Sequence, residues 1–300
     1  MKKIKNVRLA FITLLTASAM FTACQKTNDT EVAAKLEMEQ ATVSSESDAE
    51  ATVLYDDVFD NVMGTNSEVG LGGSIGIYGR SAVKTSARFE GVDSTPRCFT
   101  TTVTPLAPGA FPKTVTINFG TGCTGKDGHI RRGKVITVFT GRMIEPGSKA
   151  ATTFDGYYVD SLKVEGYHFI QNNSTSNNRI FTVRVENGKL TKPSGNYVAW
   201  NDTKTRTQTE GNGTPEFIKD DVYSIRGEAN GTVKYNDKTL QWNSTIVEPI
   251  IRKFTCRWAV KGQIRITRNT NTSLFDYGNG SCDDQATLTI NGQVHNITLH

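Results

Sequence analysis

Four cations recur at every fourth position in the stretch KFTCRWAVKGQIRITR: Lys253, Arg257, Lys261 and Arg265. In an extended chain, residues four apart share a face and lie about 13 Å from one another. Phe254, Cys256, Trp258, Val260, Ile264 and Ile266 hold the alternate positions, so Lys253–Arg268 reads as one long strand with an apolar face and a cationic face. Such a row can contact a polyanion, whether an acidic glycan, lipid phosphates or the chain's own acidic tether, or it can keep a solvated strand from pairing edge to edge. The aromatics point away from the cations, so nucleic acid is not an expected partner. Gly262 interrupts the apolar positions and predicts a bulge.

No other cluster points to a reaction. His129, His168, His295 and His300 lie far from one another and from carboxylates at ligand spacing, which predicts structural histidines and no metal. The adjacent acids Asp56-Asp57, Asp220-Asp221 and Asp283-Asp284 would face opposite ways in a strand, so adjacency makes no acid/base dyad. No cofactor motif is present, and a hydrolase would have to assemble its site from distant residues. Thr203, Thr205, Thr207 and Thr209 form a threonine row opposite Lys204 and Arg206, which reads as an exposed strand face.

The five cysteines carry more information. Residues 1–8 bring four basic side chains, Leu9–Phe21 is an apolar run too short to span a bilayer, and Thr22-Ala23 precedes Cys24. This resembles a bacterial lipoprotein signal, with Phe21 where Leu is usual. It implies that Cys24 is acylated and becomes the first mature residue. The alternative is an ordinary signal peptide cut near Ala23. Cys98, Cys123, Cys256 and Cys282 remain, an even set in an exported chain, and no C-x-x-C pair suggests a metal site. Disulfides are expected, with three connectivities open at this point.

The elements that must position these residues follow from composition and periodicity. Without residues 1–23 the chain holds 30 basic and 30 acidic residues, but residues 25–68 carry a net charge of −9 and residues 69–300 a net charge of +9. Residues 24–48 read as an acidic, solvated tether. Ala49, Leu54, Val58, Phe59, Val62 and Met63 have helical spacing, which predicts a short amphipathic helix over 49–64. Residues 69–300 alternate β-branched and aromatic runs with turn dipeptides such as Asp155-Gly156, Asn187-Gly188, Asn230-Gly231 and Asn291-Gly292. The fold class expected is all-β, a large antiparallel meander forming a sandwich or an open, curled barrel.

Two internal echoes refine this. Phe181-Thr-Val-Arg-Val-Glu leading to Trp200-Asn201 matches Tyr223-Ser-Ile-Arg-Gly-Glu leading to Trp242-Asn243 without a gap. The Gly-Cys segments at Cys123 and Cys282 also match, and each has a cysteine upstream, 25 or 26 residues before it. The pairing this suggests is local, Cys98–Cys123 and Cys256–Cys282, within hairpins added side by side.

The segments FPKTVTINFGTGCTGKDGHIRRGK, TCRWAVKGQIRIT and DYGNGSCDDQATLTINGQ resemble a family of β-rich exported lipoproteins common in Bacteroidota, over roughly residues 95–300. The resemblance implies an envelope location, with attachment to the outer membrane facing the periplasm or cell surface, and it supports the disulfides. It brings no assigned activity. The function expected is non-enzymatic binding or scaffolding by a lipid-anchored body, with an anionic glycan or lipid as the partner. The alternatives are a carrier holding an amphiphile in an open barrel and a hydrolase.

Overall fold

Short turns of Asn, Asp and Gly join much of this protein. Ile290 pairs with Gln293 across Asn291-Gly292, and Tyr235 with Lys238 across Asn236-Asp237. Arg268 pairs likewise with Asn271 across Asn269-Thr270, and Val159 with Leu162 across Asp160-Ser161. The first residue of each loop has a positive φ, from 46° to 53°, the backbone hand that two-residue hairpins need.

The structure, a computed structural model, describes residues 22–62 and 98–299 except 108, 126–127, 177 and 215–219. Residues 1–21, which hold most of the expected signal segment, and Met63, Gly64 and His300 lie outside the described residues. The elements are α1 (Thr22–Val62), β1 (Thr100–Thr104), β2 (Lys113–Asn118), β3 (Cys123–Thr124), β4 (Ile130–Phe139), β5 (Lys149–Val159), β6 (Leu162–Asn172) and β7 (Ile180–Thr191). They continue with β8 (Tyr197–Glu210), β9 (Val222–Tyr235), β10 (Lys238–Lys253), β11 (Lys261–Arg268), β12 (Asn271–Asn279), β13 (Gln285–Ile290) and β14 (Gln293–Thr298). All strands belong to one antiparallel sheet in near-sequential order, with β3 pairing β4 off the main path. The meander is therefore a single open sheet; among the described residues there is no second layer of strands and no closure into a barrel. The echo segments form the neighbouring hairpins β7–β8 and β9–β10.

The chain divides into two units, Met1–Gln40 and Ala41–His300. Within the second, helix residues 41–62 lie against the sheet. Tyr55, Asp56 and Asp57 form less than one helical turn, yet they touch strands from β4 to β10: Arg131, Phe154, His168, Trp200, Arg206 and Arg252. Laid flat, strands β4 to β10 would span about 29 Å, whereas a helix with side chains is about 10–12 Å across. Only a sheet curled around the helix brings both sides to the same turn. Glycine bulges supply the bend. Gly133 (φ 81°) and Gly262 (φ 116°) sit at register shifts, and a Cβ at either would run into the backbone of the neighbouring strand, at Gly156 O and Pro249 O respectively. The bulge expected at Gly262 is present.

Three expectations are corrected. The helix begins at Thr22 rather than near Ala49, so the acidic stretch 24–48 is helical. Its sheet-facing residues Ala41, Ser44, Ser45 and Asp48 are buried although three of them are polar, which is why apolar periodicity could not show the helix there. Second, Lys253–Arg268 is not one strand: β10 ends at Lys253, the chain turns, and β11 starts at Lys261 antiparallel to it. Burial still alternates through the turn, with Cys256, Trp258 and Val260 covered and Arg257 exposed. Third, Asp155-Gly156, Asn187-Gly188 and Asn230-Gly231 are inside β5, β7 and β9, not at hairpin ends. Gly188 and Gly231 are needed there because the Trp200 and Trp242 rings, respectively, lie close over them.

Both disulfides have the local pairing expected. Cys98–Cys123 and Cys256–Cys282 have Cα separations of 5.3 and 5.5 Å, the second fixing the turn that carries Arg257 against the end of β12.

Candidate functional site

The residues singled out in sequence separate into an exposed row and a set of structural groups. On β11, Lys261 and Arg265 alternate with buried Ile264 and Ile266, and both cations are exposed. Arg257 is exposed in the preceding turn, its guanidinium 5.3 Å from the Trp258 ring centroid. Among the described residues no carboxylate is within ion-pair distance of Arg257, Lys261 or Arg265. Lys253 differs: it is half-buried and its Nζ donates to Gly280 O at 3.2 Å. The row is thus three cations without an ion pair among the described residues, with the fourth spent partly on the β12 terminus. Cys24 falls within α1; its side chain lies outside the described residues.

Sequence reading missed a second constellation under helix residues 41–62. β8 turns Trp200, Asp202, Lys204, Arg206 and Gln208 toward the helix and the threonine row outward. Asp56 accepts from Arg206 Nη2 and from Arg252 Nε (2.7 Å), and Asp57 from Arg131 Nη2 at 3.3 Å. Lys204 Nζ reaches Asp202 at 3.2 Å and Thr52 Oγ1 at 3.3 Å. Arg268 Nη1 donates to Ser44 and Ser273. Most of the acids come from the helix and the cations from four strands, β4, β8, β10 and β11, so nothing in local spacing announces them. The one available signal was that Lys204 and Arg206 share a parity with Trp200, an apolar position.

Burial dominates the electrostatics here. It pushes the Asp48 carboxyl up to about 6, with Lys204 opposing the rise. It pulls Arg206 down to about 9, aided by the nearby Arg252 charge, so the guanidinium stays protonated at neutral pH. Burial would also lower Lys204, but Asp202 and Asp48 outweigh it and hold the ammonium above its ordinary value. His168, packed edge-on to Tyr55 at 5.6 Å, is depressed to about 3 by burial and then by Lys204, and is neutral at physiological pH. Tyr55 donates to Glu165 O at 2.8 Å and is itself raised by burial.

Titratable groups therefore converge, as catalysis would require, but they are sealed under the helix. The cavity beside Asp48, Lys204 and Arg206 holds about 20 Å³, room for one water and no substrate. The arrangement fastens a helix. It also occupies the concave face that an amphiphile carrier would need open. Elsewhere His129 Nδ1 meets Asp160 at 2.7 Å beside an exposed hairpin, and His295 stands opposite Leu288 in the β13–β14 register. Among the described residues no three His, Cys, Asp or Glu side chains gather as a metal site, and no helix is long and apolar enough to cross a membrane.

No protein-family model, curated protein or solved structure matches this chain. The functional reading rests on the geometry and on the sequence features above.

Proposed function

We propose that this chain is a lipid-anchored protein of the outer membrane, attached through Cys24, whose β body binds or scaffolds rather than catalyses. Its partner is an anionic glycan, contacted by Arg257, Lys261 and Arg265 with Lys253 at the margin. The observation that carries this reading is the exposure of three cations with no carboxylate near them among the described residues, while the titratable groups that do converge are committed to holding the helix. An unpaired cation row raises the local anion concentration and gives binding that weakens as salt screens it. The two disulfides suit an oxidising envelope compartment, and the lipoprotein-like signal supports attachment.

Two measurements test it together. Cys24→Ser should move the protein from washed membranes to the soluble fraction, because the acyl chains supply the attachment; retention of the variant in membranes would contradict the anchor. An array of acidic glycans should show salt-sensitive binding by the wild-type protein. A blank array together with measurable hydrolytic turnover would overturn the binding reading in favour of an enzyme. Binding to anionic vesicles alone would replace glycan with lipid as the partner.

A further inference from the structure

The two Trp-Asn echoes build a second feature, on the outer face of the sheet. Trp200 and Trp242 point inward, where each ring covers a glycine of the adjacent strand. The asparagines that follow them point outward. Asn201 stands directly opposite Asn230, Asn230 opposite Asn243, Asn243 opposite Thr267 and Thr267 opposite Thr272. Asn187 joins the row at the β7 bulge, its backbone N–H donating to Asn201 Oδ1 at 2.8 Å. The four asparagines are exposed and line a groove of about 510 Å³. Ala199, one step along β8 on the same outward face, leaves the floor open beside Lys189, Thr232 and Gln241.

Folding does not account for this row. Asn is among the residues depleted in strands, where its short amide competes with the backbone for hydrogen bonds. Here it holds the middle of four adjacent strands at one level. Asn201 has a structural use at the bulge, but among the described residues the Asn230 and Asn243 side chains make no hydrogen bond to the protein. Their donors and acceptors are directed at solvent.

We infer that this row is a binding groove for an uncharged, hydroxyl-rich chain, a neutral oligosaccharide lying across β7–β10. Carboxamides offer a donor and an acceptor side by side without charge, which matches vicinal hydroxyl groups and gives no advantage to an anion. Neighbouring strands repeat at about 4.8 Å, close to one pyranose unit in an extended β-linked chain, so successive rings meet successive amides. The groove uses residues distinct from Lys253, Arg257, Lys261 and Arg265 and goes beyond the anionic-glycan reading.

The test is a glycan array carrying neutral β-linked gluco-, xylo- and N-acetylglucosamine oligomers beside acidic ones, followed by calorimetry on the best neutral oligomer. The wild-type chain should bind a neutral oligomer with little salt dependence. Asn230→Ala/Asn243→Ala should weaken it about tenfold or more through lost hydrogen bonds, with melting temperature unchanged. The quadruple change of the cation row to Gln should leave neutral binding intact. No neutral oligomer bound, or binding that survives the double asparagine change, would overturn the groove. Acidic-glycan binding lost only in the cation-row variant, with no neutral oligomer bound by the wild-type chain, would keep the proposed function while removing this inference.

Discussion

Replacing Asp56 with alanine would leave two guanidinium groups facing a methyl group. Arg206 and Asp56 are 4% and 5% exposed in their side chains, and even before the change Arg206 Nε has no hydrogen-bond partner among the described residues. Arg252 is 11% exposed and can turn toward water; Arg206 cannot. Stranding a buried charge in this way costs about 3–5 kcal/mol. By contrast, Asp57→Ala breaks a longer, 3.3 Å contact in which Arg131 is 7% exposed and the carboxylate 26% exposed, and should cost less than Asp56→Ala. Urea denaturation with the disulfides intact measures both. A double-mutant cycle sharpens the result: Arg206→Met placed on Asp56→Ala removes the stranded charge and should recover part of the loss, giving a non-additive cycle. An Asp56→Ala cost near that of a solvated pair, or strictly additive changes, would show that Asp56 does not hold the helix.

The same cluster sets the acid-range pH dependence of stability. His168 is held near 3 against an ordinary 6.5, so the unfolded chain takes up a proton that the native chain refuses, and stability should rise with pH between those values. His168→Gln should abolish that rise in denaturation free energies measured from pH about 4 to 6, and an unchanged profile would contradict its neutral, buried state. Asp48 acts oppositely: held up to about 6 against 3.8, it is protonated in the native chain and ionised in the unfolded one, so its contribution falls as pH rises through that window. Asp48→Asn should therefore make stability climb with pH, relative to wild type, by about 1.4 kcal/mol per pH unit; parallel curves would mean that Asp48 is not desolvated.

The parts of this fold that were legible in sequence are those governed by local rules. Alternation located most strands, Asn291-Gly292 marked a true hairpin, Gly262 marked a bulge, and the matched Gly-Cys segments indicated both disulfides. Asn187-Gly188 and Asn230-Gly231 misled because the same dipeptide that suits a turn also suits a strand where a tryptophan ring needs glycine beneath it. The turn within Lys253–Arg268 was invisible because side-chain burial keeps its alternation while the backbone reverses. The ionic cluster was hidden for a different reason. Asp56 and its partners Arg206 and Arg252 are 150 and 196 residues apart, and the helix segment that ends the sheet's need for an apolar partner is itself lined with Ser44, Ser45, Asp48 and Asp56. A polar helix face reads as solvent-facing until the cations it meets are known.

The envelope-binding reading depends most directly on the exposed cations. Changing Lys253, Arg257, Lys261 and Arg265 together to Gln should alter stability by about 0.5 kcal/mol or less per exposed residue, because Arg257, Lys261 and Arg265 make no ion pair among the described residues. Binding of the quadruple variant to an acidic glycan, measured beside wild type at low and high salt, should fall clearly at low salt, and its salt dependence should largely disappear. A variant that melts with the wild type and binds with the same affinity and the same salt dependence would show that these cations are only a solvated surface.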